Sequence, residues 1–82
     1  MNVLLSEPWS FDLIEHDDGT LRLVVVCGTI GLYEVVMTLD HREREEWSRR
    51  GEAFIRELAG EIVDPCGRYA PRCSPYERGQ SS

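Results

Sequence analysis

The chain has 82 residues, 41% hydrophobic and 29% charged, with 15 acidic residues against 9 basic ones and a formal net charge of −6. That length predicts one domain hiding only about 60% of its unfolded surface, and the composition argues against wholesale disorder. The acidic balance excludes generic binding to nucleic acid or anionic membrane, both of which need basic surface; every basic residue is Arg, and the lack of Lys excludes Schiff-base chemistry.

The opening MNVLLSEPW has no basic region and an apolar run of only three residues, Val3, Leu4 and Leu5, so it reads as neither signal peptide nor membrane span. A cytoplasmic protein with reduced cysteines is expected. Residues 9–16, WSFDLIEH, alternate like a strand, with Trp9, Phe11 and Leu13 on one face and Asp12, Ile14 and His16 on the other. Asp17, Asp18 and Gly19 then suit a three-residue hairpin loop that ends on a left-handed Gly. That loop pairs Leu13 with Leu23 and Phe11 with Val25, keeping all four on one face of the next strand, TLRLVVVCG. A second connection, GTIGL at residues 28–32, leads to YEVVMTL at 33–39. Its parity aligns Val25 with Val35 and Leu23 with Met37.

A helix follows. Asp40 and Glu43 stand at capping-box spacing, and an apolar stripe of Trp47, Phe54, Ile55, Leu58, Ala59 and Ile62 predicts one long helix over 41–63. Gly51 lies on that stripe, either as a close approach to the sheet or as a weak spot. Glu45–Arg49, Glu46–Arg50 and Glu52–Arg56 are spaced for ion pairs on the outer face. Asp64-Pro65 ends the helix, and Pro71 and Pro75 keep the remainder irregular. The expected fold is α+β: an antiparallel three-stranded meander packed against one long helix, with an irregular C-terminal tail. Residues 3–5 are available as a short fourth strand. Residues 1–76 form the domain and 77–82, ERGQSS, fray.

Catalytic signals are weak. His16 and His41 have no nucleophile beside them, Asp17-Asp18 is turn chemistry, and GTIG lacks the spacing and Lys of a phosphate loop. Cys66 and Cys73, in CGRYAPRC, are separated by six residues, which fits neither zinc-knuckle spacing. They support a thiol- or metal-dependent alternative, including a mutual disulfide. Cys27 reads as a small buried hydrophobe.

The sheet's second face raises the sharper question. Ile14, Val24, Val26 and Val36 share it, ringed by Asp12, Arg22, Glu34 and Thr38. Aliphatic side chains inside a charged rim have the anatomy of an interface. Three covers are open: the N-terminus or the tail around Tyr69 and Tyr76 folded across it, a second copy in a twofold dimer, or a different protein. The expected function is a small acidic non-enzymatic module, of inhibitor, immunity or adaptor type. It binds a protein partner, or itself as a homodimer, through Ile14, Arg22, Val24, Val26, Glu34 and Val36. No cofactor, metal or small-molecule substrate is expected.

Overall fold

The computed structural model describes residues 2–27, 33–63 and 67–76. In chain order these hold β1 (Asn2–Glu7), β2 (Phe11–Glu15), β3 (Leu21–Cys27), β4 (Tyr33–Thr38), α1 (His41–Arg50), α2 (Glu52–Ile62), a 3-10 turn (Ala70–Arg72) and β5 (Ser74–Tyr76). The architecture is α+β. One antiparallel five-stranded sheet runs in the order β1-β2-β3-β4-β5, and both helices are on one side of it.

The registers inside the meander are those the parity argument requires. Phe11 pairs with Val25 and Leu13 with Leu23 across β2 and β3, and Leu23 with Met37 and Val25 with Val35 across β3 and β4. The hairpin loop closes with the His16 N–H donating to the Thr20 carbonyl at 2.9 Å, and Gly19 takes φ 87°. The Thr20 backbone N–H donates to Asp18 at 2.9 Å and, with the Thr20 hydroxyl, holds the Asp18 carboxyl below its usual range.

Several expectations need correction. The meander has five strands because β1 and β5 add at its two edges. β1 uses six residues, and a bulge between Val3 and Leu5 lets the unalternating NVLLSE keep Leu5 on the core side. The C-terminal stretch is not irregular throughout: within it Ser74 pairs with Val36, and Tyr76 with Glu34. The GTIGL connection, Asp64-Pro65, Cys66 and residues 77–82 lie outside the described residues.

The long helix is two helices, broken at Gly51. Its backbone takes φ 66° and ψ −141°, a conformation open in practice to Gly alone, and its N–H still donates to the Trp47 carbonyl at 2.9 Å. Nothing lies within 4 Å of a Cβ built there, so the glycine is not a close approach to the sheet. The backbone alone demands it. Gly51→Ala is therefore expected to destabilise the fold by about 1–3 kcal/mol, the reverse of an ordinary helix-interior substitution. Gly60, exposed within α2 with equally empty surroundings, supplies the control. Gly60→Ala should add about 0.5–1 kcal/mol. Urea unfolding of the two variants checks both signs, and a stabilising Gly51→Ala would mean a continuous helix.

The core lies between the sheet and α2. Phe11, Leu13, Leu21, Leu23, Val25, Cys27, Met37 and Leu39 meet Phe54, Ile55, Leu58, Ala59 and Ile62, all buried. The α1 helix contributes little to it: Trp47 is half-buried against the core, and the buried residue of α1 is Glu43. The capping box forms, with the Glu43 N–H donating to Asp40 and the Asp40 N–H donating to Glu43, both at 2.9 Å. Glu43 also receives a fork from Arg72, whose Nη1 and Nη2 donate to Oε2 and Oε1 at 2.8 Å each, while Nη2 reaches the Thr38 carbonyl at 3.0 Å. One guanidinium thus joins the C-terminal segment, the end of β4 and the start of α1.

On the outer face of the helices, Arg56 pairs with Glu52 and Arg50 with Glu46 as their spacing requires. The third expected pair is exchanged. Arg49 pairs with Glu46 at 3.2 Å, and Glu45 with His41 at 3.2 Å.

Candidate functional site

The register sends Ile14, Val24, Val26 and Val36 to the side of the sheet opposite the helices, as the alternation requires. Among the described residues no element packs across them. The N-terminal residues and Tyr76, which the sequence offered as covers, are in the sheet itself, and Tyr69 packs against the core on the helix side. Two of the four valine and isoleucine side chains are nevertheless buried, Val24 at 1% exposure and Ile14 at 5%. On that face Val24 has Asp12 and Val36 directly opposite and Arg22 and Val26 two positions along.

Val26 and Val36 are half-buried, as is Glu34, and Arg22 is exposed. The six residues named from sequence are thus brought to one face, but they divide by accessibility. A partner can reach Val26, Val36, Arg22 and Glu34, whereas Val24 and Ile14 are closed to it. β1 adds Val3, 59% exposed and opposite Ile14, and Ser6, whose hydroxyl donates to Asp12. The charges are segregated along the face. Arg22 stands opposite Thr38 at one end, whereas Glu34 stands opposite Val26 at the other.

Sequence reading missed the residue beside that acidic end. Trp9, placed by alternation on the core face, is 83% exposed in the turn between β1 and β2. The Ser10 N–H donates to the Glu7 carbonyl at 3.0 Å, Pro8 occupies the second position and Trp9 the third with φ 62°, which together define a type II turn. The third position of that turn favours Gly or Asn. The signal that was available is Glu-Pro-Trp-Ser, a Pro-initiated turn that ends the alternation before it reaches Trp9.

Other candidate chemistry thins out. A shallow cleft of about 530 Å3, open to solvent, lies between α1 and the sheet, lined by Leu4, Glu15, Leu21, Arg44 and Trp47 with His41 and Ser48. Among the described residues no hydrogen bond joins His41 to Ser48, and His41 is paired with Glu45. Among the described residues no group of three His, Cys, Asp or Glu side chains can hold a metal ion. Cys27 is buried, and burial pushes its thiol up; burial likewise raises Cys73, whose Sγ donates to the Tyr69 carbonyl at 3.3 Å. Neither has the lowered pKa of a nucleophilic thiolate. The expected partner of Cys73, Cys66, lies outside the described residues.

No helix among the described residues is long and apolar enough to cross a membrane. Comparison of the chain with protein-family models, curated proteins and solved structures gives no match.

Proposed function

We propose that this chain is a small acidic cytoplasmic module without catalytic activity, of inhibitor, immunity or adaptor type, which takes another protein on the open face of its sheet. One observation carries the reading. A face free of helices holds an apolar centre of Val26 and Val36 beside the buried Val24 and Ile14, rimmed by Arg22 and Glu34, with no cover among the described residues. Half-buried valines on such a face gain about 25 cal/mol for each Å2 of apolar surface a partner removes from water. A second copy is the weaker occupant, since it would bring together two chains of net charge −6.

The test uses Val36→Asp. Its side chain is half-buried, so a carboxylate there faces a partner and not the core. Val24→Asp is the wrong variant for this purpose, because at 1% exposure it reports on folding. Proteins retained by the wild-type chain but lost from Val36→Asp, with circular dichroism unchanged, support the open face. Identical retention by both chains overturns it. Light scattering across a dilution series decides the occupant: a stable dimer that Val36→Asp dissolves would replace the foreign partner with a second copy.

A further inference from the structure

We propose that the cleft between α1 and the sheet binds a small apolar zwitterion: a free amino acid or a dipeptide with apolar side chains. The site lies on the helix side of the sheet, so it is separate from the open face and does not depend on it.

The cleft follows from what α1 lacks. That helix is capped at Asp40, but its one hydrophobic residue is Trp47, and about 530 Å3 stays open between it and the sheet. Such a volume is within the range of small-molecule sites. Trp47 both packs against the core and lines the cleft, together with Leu21 at 5% exposure. Leu4 adds to this apolar surface through the bulge in β1. Val3 stands opposite Ile14 and Leu5 opposite Leu13, so Leu4 is the extra residue, with no partner position on β2. Bulges re-aim a side chain, and this one leaves Leu4 lining the cleft at 40% exposure. A ligand with an apolar body covers leucine and indole surface that the fold leaves wet.

Charge selects the ligand. Four titratable side chains line the cleft, and two of them, His41 and Glu45, pair with each other at 3.2 Å. Arg44 and Glu15 remain. Among the described residues neither forms an ion pair or a side-chain hydrogen bond, with each other or with any neighbour. One available guanidinium and one available carboxylate beside an apolar wall are satisfied together by a molecule carrying a carboxylate, an ammonium and an apolar body. The chain end of a protein partner brings only one of those charges. A free amino acid or dipeptide brings both.

The experiment starts from Trp9→Phe, which makes Trp47 the sole indole of a chain with two Trp. Trp9 lies in the turn between β1 and β2 and does not line the cleft. Indole fluorescence is titrated with leucine, phenylalanine and the dipeptide Leu-Phe. Two single-charge analogues are run beside them: phenylpropionate, which lacks the ammonium, and phenethylamine, which lacks the carboxylate. At least one zwitterion should saturate the signal with Kd below about 1 mM, and each analogue should bind at least about fivefold more weakly. Arg44→Gln should weaken the zwitterion by at least about fivefold and leave phenethylamine unchanged; Glu15→Gln should weaken it equally and leave phenylpropionate unchanged. Arg42→Gln, exposed on α1 outside the cleft, should alter neither. The tighter of amino acid and dipeptide names the source. No saturation up to about 10 mM, an analogue that matches the zwitterion, or full affinity in either Arg44→Gln or Glu15→Gln each overturns the proposal.

Discussion

Leu23→Ala is expected to lower the unfolding free energy by about 3–5 kcal/mol. Leu23 is fully buried on the central strand, paired in register with Leu13 on one side and Met37 on the other, and it belongs to the cluster that α2 caps with Ile55 and Leu58. All of these neighbours are nearly inaccessible to water, and backbone pairing holds the strands on both sides, so the cavity cannot collapse easily. A chain of this length has about 4–12 kcal/mol of total stability, at the usual increment per residue. A single methyl-lined void therefore removes a large share of it. Urea unfolding checks the value: the midpoint should fall with the slope unchanged. A loss below about 1 kcal/mol would place the core elsewhere.

The second large effect lies outside that core. Arg72→Ala should cost about 2–3 kcal/mol and lower the unfolding temperature by roughly 10–20 °C. The substitution removes both prongs of the fork and leaves Glu43, 6% exposed, without its counter-charge. Breaking a wholly buried pair costs more, about 3–5 kcal/mol, but the Arg72 side chain keeps 37% of its exposure and water partly compensates. Arg72→Lys separates charge from geometry. One ammonium cannot serve both Glu43 oxygens and the Thr38 carbonyl in the same fork, so Lys should restore less than half of the loss. Thermal melts of the two variants measure this, and full rescue by Lys would reduce the clamp to simple charge pairing. Hydrogen exchange adds a location. Protection should fall first at β5 and the start of α1, the segments that this guanidinium joins.

The sequence made the meander legible because several independent constraints agree there. The left-handed Gly19 sets the hairpin loop, the loop sets parity, and parity keeps Leu13, Leu23 and Met37 on one face. The capping box of Asp40 and Glu43 was equally plain, because both halves of its signal lie within four residues. The failures share a cause: tertiary context decided each of them. The apolar stripe continues from Trp47 to Phe54 across the break, so periodicity cannot show that Gly51 left the helical region. β5 has three residues with Pro in the middle, too little for a strand signal, and the nearby Arg72 fork fixes its approach to β4. The bulge in β1 is hidden because NVLLSE does not alternate. At the candidate site, pattern alone found the six residues of the open face. It could not sort them by accessibility, since alternation assigns a side chain to a face and says nothing of what surrounds it there.

The strand order also dictates a sequence of events during synthesis. Four neighbouring strands are consecutive in the chain, so each can pair with its predecessor soon after emerging, at little loop-closure cost. The fifth is different. Ser74 must find Val36 across both helices, which makes it the last strand to close and leaves the outer edge of β4 unpaired until then. A nascent chain stalled before Cys73 therefore presents an open, Val-rich edge, a template for aggregation that three late residues remove.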